Sequence, residues 1–289
     1  IGSVAGEAPR GAGQLQAASV EFGNGAGTLT FNHTDIDYEF APALKSVGTG
    51  AHAINQLAGV TELTGDSSAF TGTATVSGGT LIVADTLGGS ALVTGGGAQL
   101  GGTLQVDGSF LGDVSVRKAG VVSGSGTIDG DVGFQDGRLA GAQGRTLTVT
   151  GDMTLDDTSQ VDVALGAAVP SPELFAVGGD LTLDGELNIT DEGGVGLGVY
   201  RLFSYGGTLT DNGLTIGVYP AGIDYSSLSI QTSVSHQVNL VATDGTSLSF
   251  WDGGNAAGHG NGAVDGGPGV WDAAASNWTT GDGTTNSPY

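Results

Sequence analysis

The chain has 289 residues, of which 56 are glycine and 38% are hydrophobic, and it contains no cysteine. Its 30 acidic residues outnumber its 7 lysines and arginines, so the formal charge is −23. This composition excludes a disulfide framework and a thiolate metal site, and the scarcity of basic residues argues against a nucleic-acid-binding protein.

The first part of the chain is the least regular. Residues 1–31 are rich in glycine and alanine and contain one alternating strand, 28–31. Residues 32–62 supply apolar side chains without a clear repeat. We predict irregular rungs over 32–62 because Gly48, Gly50 and Gly59 interrupt the apolar pattern.

Residues 70–165 contain the clearest repeat, a short strand of alternating apolar and polar residues that is bounded by glycine. Thr, Ser, Gln and Asp occupy the alternate positions. Because successive side chains of a strand point to opposite faces, the apolar ones are predicted to point inward. The predicted inward residues are Val76, Leu81, Val83, Leu104, Val106, Val114, Val116, Ile128, Leu147, Val149, Leu155, Val161 and Val163.

The composition changes twice in the second half of the chain. Residues 166–176 include Pro170 and Pro172, which cannot donate to a strand ladder, and we predict a loop there. Strand patterns then continue to residue 250, so one β-helical segment is predicted over 1–250. Residues 251–289 hold all three tryptophans and much glycine, and we interpret them as a Trp- and Gly-rich connection into a further repeat unit.

The short strands and short connections predict an all-β solenoid, a parallel β-helix in the form of a single elongated rod. Each strand is expected to pair with its copy one coil away, about 4.8 Å along the axis. With roughly 20 to 25 residues per coil, the chain would form about 10 to 12 coils. A β-propeller is the alternative, but its blades are longer and more regular than these repeats.

Several rungs carry recognisable motifs in a fixed order. Residues 63–83 read Leu-Thr-Gly-Asp, then Phe-Thr-Gly, then Gly-Thr-Leu-Ile-Val, and 144–165 contain Thr-Leu-Thr-Val-Thr-Gly-Asp-Met-Thr-Leu. Residues 92–128 repeat Gly-rich rungs, and Val270-Trp271-Asp272 is followed by a second tryptophan at Trp278. These stretches resemble the passenger-associated repeats of bacterial autotransporters, the monomeric type V secreted proteins.

The resemblance spans residues 60–289 and carries implications for fold and location. It implies a right-handed parallel β-helix that is extracellular, at the bacterial cell surface and outer membrane. It also implies export by the protein's own C-terminal β-barrel translocator, which we expect outside this chain. Many passengers of this group are adhesins, and some carry hydrolase domains.

The sequence offers few candidates for catalysis or metal binding. His33, His52, His236 and His259 are far apart, and we predict isolated surface histidines. The sequence from Gly65 to Ser68 is similar to the Gly-Asp-Ser-Leu start of some autotransporter esterases. Since it lies inside a rung and lacks the later Asp-x-x-His block, we interpret it as an Asx-type turn.

Acidic residues form four clusters, and two carboxylates in one groove are the catalytic groups of glycan-cleaving enzymes. The clusters are Asp35/Asp37/Glu39, Asp129/Asp131, Asp156/Asp157 and Asp191/Glu192. We favour turn-forming aspartates at coil corners, because basic residues are scarce and tryptophan is confined to 251–278. We therefore predict no catalytic, cofactor-binding or metal-binding residues.

The predicted function is non-catalytic adhesion along the outer surface of the β-helix, with 31–58 and 169–175 as protruding contact regions. The predicted partners are a host cell-surface or extracellular-matrix protein or glycan and, between bacterial cells, a second copy of the chain. Nucleic acid is not expected. Two alternatives remain open: a passive β-helical stem that displays an upstream hydrolase domain, and a β-helical glycan-cleaving enzyme.

Overall fold

The computed structural model describes residues 1–95, 101–243 and 245–289. Residues 96–100 lie outside the described residues; they belong to the stretch 92–128 that resembles the passenger-associated repeats. Among the described residues the one helical element is a 3-10 turn at Tyr225–Ser227, and no helix is long and apolar enough to cross a membrane.

Most strands belong to three long sheets. Sheet A contains Gly27–Asn32, His52–Ala58, Thr73–Val76, Ser90–Thr94, Val114–Arg117, Val132–Gln135, Met153–Thr154, Leu181–Leu183 and Leu209–Asp211. Sheet B contains Tyr38–Phe40, Val60–Leu63, Thr80–Val83, Thr103–Val106, Val121–Gly124, Arg138–Ala142, Gln160–Gly166, Glu186–Gly193 and Thr215–Ile216. Sheet C contains Thr86–Gly88, Ser109–Leu111, Thr127–Ile128, Leu147–Val149, Phe175–Val177, Gly198–Tyr205, Leu228–Gln231 and Gln237–Ala242.

The chain visits the three sheets in turn, which confirms the predicted parallel β-helix. Ser90–Thr94 of sheet A, for example, pairs in parallel with Thr73–Val76 of the coil before it. Along sheet A, coils range from 17 residues, between Thr73 and Ser90, to 28 residues, between Leu181 and Leu209. Sheets A and B have nine strands each, fewer than the 10 to 12 coils expected for residues 1–250, because the parallel coils span only residues 27–216.

Apolar ladders fill the interior between the sheets. All thirteen predicted inward residues are buried, and none is more than 1% exposed. Within sheet A, Val93 pairs with Val76 on one side and with Val116 on the other, so identical side chains stack coil upon coil. Full burial of one such side chain is worth about 1.5–3 kcal/mol relative to exposure, and the ladder repeats this gain in every coil.

Two smaller sheets complete the structure, and Phe22 and Leu44 of the first belong to the same core as the three long sheets. Ser19–Phe22 pairs in parallel with Ala43–Ser46. Near the end of the chain, Phe250–Trp251, Trp278–Thr279 and Asn286–Ser287 form an antiparallel sheet. There the ring of Trp278 contacts those of Trp251 and Trp271, at centroid distances of 5.3 and 5.0 Å.

The expectation that every strand pairs with its copy one coil away is wrong at the end of sheet C. Gln237–Ala242 runs antiparallel to Gly198–Tyr205, and Leu228–Gln231 runs antiparallel to Gln237–Ala242. The 3-10 turn at Tyr225–Ser227, capped by the side chain of Asp224, precedes this reversal. Alternating apolar residues bury equally well in either direction, so periodicity alone could not reveal it.

Candidate binding surfaces

The histidines have separate partners, and the described residues contain no group of three or more His, Asp or Glu side chains able to hold a metal ion. The prediction of surface positions is wrong for His33 and His52, which are 0% and 6% exposed. His33 Nε2 lies 2.8 Å from Thr61 Oγ1, and desolvation by burial lowers the pKa of His33. The burial of His52 could have been predicted from alternation, because His52 shares the inward face of its strand with Ile54 and Gln56.

His236 and His259 have backbone partners instead. His236 Nδ1 lies 2.9 Å from the carbonyl oxygen of Tyr205, and His259 Nε2 lies 3.2 Å from that of Gly253. His236 thus contacts a strand 31 residues earlier, whereas His259 contacts its own turn, and the four histidines have different neighbours.

The Gly65–Ser68 motif forms the expected Asx-type turn. Asp66 Oδ1 accepts the Ser68 N–H at 3.0 Å, and hydrogen bonds from Ser68 lower the pKa of Asp66. Ser67 is buried; its hydroxyl donates to the Gly65 carbonyl and accepts the Leu44 N–H from the previous coil. These contacts give Ser67 a structural role in coil stacking.

Four aspartates form a ladder at one corner of the coil, each directly before a sheet A strand or at its edge. Its members are Asp113, Asp131, Asp152 and Asp180. Oδ1 of each accepts the backbone N–H of the residue in the same place one coil later, at 2.7 to 2.9 Å. Asp180 ends the ladder by accepting both the N–H and the hydroxyl of Thr208.

The ladder explains the recurring Gly-Asp dipeptide. A Cβ atom on Gly179 would lie 2.1 Å from Asp152 Oδ1, and one on Gly151 would lie 2.2 Å from Asp131 Oδ1. Since real Cβ atoms do not approach oxygen this closely, the carboxylate of one coil requires glycine in the next. The dipeptide therefore stacks coils.

The ladder predicts a specific pH dependence of stability. Hydrogen bonds from the Thr208 N–H and hydroxyl lower the pKa of Asp180, so its contribution is fully present above its unfolded pKa of about 3.9 and is lost as pH falls through the lower folded value. We expect Asp180→Asn to lose less stability than the unchanged chain between about pH 6 and pH 2. Urea midpoints measured across this range provide the check.

Asp157→Asn is the matched control for this experiment. Within the described part of the chain, no hydrogen bond to the Asp157 side chain is present, whereas its neighbour Asp156 accepts several. The Asp157→Asn variant should therefore follow the unchanged chain. Identical pH slopes for Asp180→Asn and the unchanged chain would contradict the role given to the ladder.

The four predicted acidic clusters take part in turns and in contacts between coils. Asp35 accepts the Ala12 N–H, Asp129 accepts the Thr150 hydroxyl, and Asp191 accepts two backbone N–H groups of its own turn. Burial raises the pKa of Asp156, but hydrogen bonds from Ser159 and Thr158 outweigh it and leave that pKa lowered. These contacts support the structural explanation of the acidic residues.

The outer face of sheet A presents an uncharged column of side chains beside the aspartate ladder. Its members are in register from coil to coil: Thr30, Asn55, Thr75, Leu92, Ser115, Gly133, Thr154, Thr182 and Thr210. None of these side chains carries a charge, although the chain as a whole has a formal charge of −23. The column is an uncharged and mostly polar strip along the rod axis, with the carboxylates of the ladder at its side.

A groove of about 640 Å³ lies between residues 168–172 and the outer face of Gly198–Tyr205. Its apolar lining includes Val169, Leu197 and Val199, which are 55%, 50% and 41% exposed. Arg201 also lines the groove, and its guanidinium is 3.8 Å from the Glu173 carboxylate. Because Arg201 is one of only 7 lysines and arginines, the groove has a positive charge that most of this acidic chain lacks.

Comparison with known proteins agrees with the motifs. No family model matches the chain. The chain is similar to the adhesin BmaC autotransporter of Brucella suis biovar 1 (strain 1330), with 36% identity over 309 aligned residues that include 99% of this chain. It spans 8% of that relative's length. The similarity confirms the resemblance to autotransporter passengers and extends it to residues 1–59.

Proposed function

We propose that this segment of an autotransporter passenger, exposed on the outside of the bacterial cell, acts in adhesion. The observation that carries the proposal is the uncharged column of sheet A. Two sets of contacts hold the coils together: the inward apolar side chains and the aspartate ladder that ends at Thr208. The column belongs to neither set, so its side chains can contact a partner. The name of the similar protein as an adhesin gives independent support.

The surface chemistry fits contact with a protein or a glycan of the host. Threonine and serine hydroxyls donate and accept hydrogen bonds, and many weak contacts repeated along a rod add up by avidity. The net charge of −23 disfavours broad contact with anionic surfaces. The side chains of the uncharged column do not add to this repulsion, and Arg201 brings a positive charge to the groove.

Surface display tests the proposal. Residues 1–289 are displayed on a non-adherent bacterium, and the cells bound to epithelial cells and to each other are counted against an empty-display strain. We expect more bound cells than in the control. A matched strain displays Ser115→Arg, which places a charge in the middle of the column, and is expected to bind fewer cells.

A passive stem is the second candidate. It is favoured by the same coil ladders, which give a regular rod whose length alone can hold another domain away from the cell. The display experiment separates the two. Correctly folded rods on the cell surface that give no adherence above the empty-display strain would contradict the adhesive function and favour the stem.

A further inference from the structure

We propose that the groove between residues 168–172 and Gly198–Tyr205 binds an extended peptide segment that carries an acidic side chain between apolar ones. This inference rests on the proposed adhesive function and names the class of partner. Its three supports are a gap in the strand pairing at Val199, a side-chain amide oxygen that accepts no hydrogen bond from the described residues, and a cation between apolar walls.

The open edge belongs to Gly198–Tyr205. On one side this strand pairs with Gln237–Ala242 along most of its length, but on the other it pairs with Phe175–Val177 only through Phe203, Ser204 and Tyr205. Before that point the chain across the gap is the proline-containing loop, and Pro170 and Pro172 have no N–H to offer. The loop therefore runs alongside the strand without completing the ladder.

The backbone groups of Val199 face this gap. The carbonyl of Arg201 accepts the Leu174 N–H, so it points toward the loop. Groups two residues apart along a strand point the same way, so the N–H and C=O of Val199 point there too. Within the described residues neither group has a hydrogen-bond partner in the loop. Val199 therefore offers one backbone donor and one backbone acceptor to an extended peptide in the groove.

Asn239 supplies a second polar group. Its side chain lines the groove although the residue is only 2% exposed. Its Nδ2 donates to Gln231 and Gln237, whereas among the described residues no hydrogen bond to its Oδ1 is present. An amide oxygen accepts hydrogen bonds, so this oxygen is available to a backbone N–H of a ligand in the groove.

The residues that line the groove determine which side chains a bound peptide would carry. Val169, Leu197 and Val199 offer apolar contact. Arg201 offers a guanidinium whose one ion pair among the described residues, with Glu173, is long at 3.8 Å. Charge-assisted hydrogen bonds to arginine are strong and directional, so a ligand carboxylate is favoured. None of the residues that line the groove is aromatic. Stacking on a sugar ring is therefore missing, and a peptide fits better than a glycan.

A peptide library tests the inference directly. A positional-scanning library of acetylated, amidated heptapeptides carrying a fluorophore is titrated with the purified chain and followed by fluorescence polarisation. We expect binding to select Asp or Glu at one position, with apolar residues two positions away. Arg201→Gln should weaken the best pools at least about tenfold, and Val169→Glu should do the same by repelling the peptide carboxylate.

Matched controls keep the outcome clear. Arg117→Gln and Val47→Glu alter exposed residues that do not line the groove, and both variants should bind as the unchanged chain does. No binding by any pool, or equal binding by Arg201→Gln, would overturn the inference. Binding of a glycan array in place of the peptides, lost in Arg201→Gln, would also overturn it. The peptide assay and the cell-display assay are independent. If displayed cells adhere but the purified chain binds no peptide, this inference fails and the proposed adhesive function does not.

Discussion

Val116→Asp is expected to destabilise the rod by about 3–5 kcal/mol, because it buries an unpaired carboxylate in a dry interior. Val116 is fully buried and stacks between Val93 of the coil before and Phe134 of the coil after. Neither neighbour can donate a hydrogen bond. Urea unfolding followed by circular dichroism measures the loss.

The adjacent residue is the control for this substitution. Ser115 belongs to the same strand but points outward and is exposed, so Ser115→Asp should change the free energy of unfolding by less than about 0.5 kcal/mol. Equal losses from the two substitutions would show that the inward register of sheet A is wrong. Because the two residues are neighbours, effects on strand propensity largely cancel between them.

Gly179→Ala should destabilise the rod by about 2–4 kcal/mol, through overpacking and the loss of a hydrogen bond to a charged group. The new Cβ would lie 2.1 Å from Asp152 Oδ1 and 2.9 Å from the backbone of Gly151. The carboxylate must move, and the N–H of Asp180 that it accepts at 2.7 Å then loses its partner. The shift of the urea midpoint measures this loss.

Gly133→Ala is the matched control for the ladder. Gly133 lies in a sheet A strand, and a Cβ atom added there would meet nothing within 4 Å. Its substitution should be neutral or stabilise by up to about 1 kcal/mol, since alanine restricts the unfolded chain. A loss for Gly133→Ala as large as that for Gly179→Ala would mean that general strand effects, and not the aspartate ladder, explain the result.

The interior was predictable from the sequence because it depends on local alternation alone. Val161 and Val163, for example, repeat at the period that places both on one face of a strand, and both are buried. The same reasoning could have found His52, which alternates with Ile54. The polar sequence around His52 was a poor guide to its exposure. The solenoid brings the Ser46 hydroxyl and the Gly23 carbonyl to the imidazole, so it is buried among hydrogen-bond partners.

The direction of the last strands and the groove depend on contacts between distant residues. Val238 and Leu240 are buried in an antiparallel strand, and their alternation would look the same in a parallel one. The groove brings residue 169 next to Val199 because one long coil separates them. The proline loop was visible in the sequence, but the open edge opposite it was not.

The uncharged column also depends on contacts between residues that are distant in sequence. Most of its residues are polar positions of single strands that the sequence pattern shows, such as Thr182 and Thr210. Their alignment into one strip depends on the coil lengths, which vary from 17 to 28 residues. Register between coils therefore turns scattered hydroxyl groups into a surface.

Binding of the purified chain to host material tests the adhesive role most directly. Labelled protein of residues 1–289 is titrated onto epithelial cells and onto extracellular-matrix coats, with unlabelled protein as competitor and the destabilised Val116→Asp variant as control. The adhesive function predicts saturable binding that the competitor reduces and that the variant lacks. Binding by the folded chain no greater than that of the variant, on cells and on matrix alike, would contradict it.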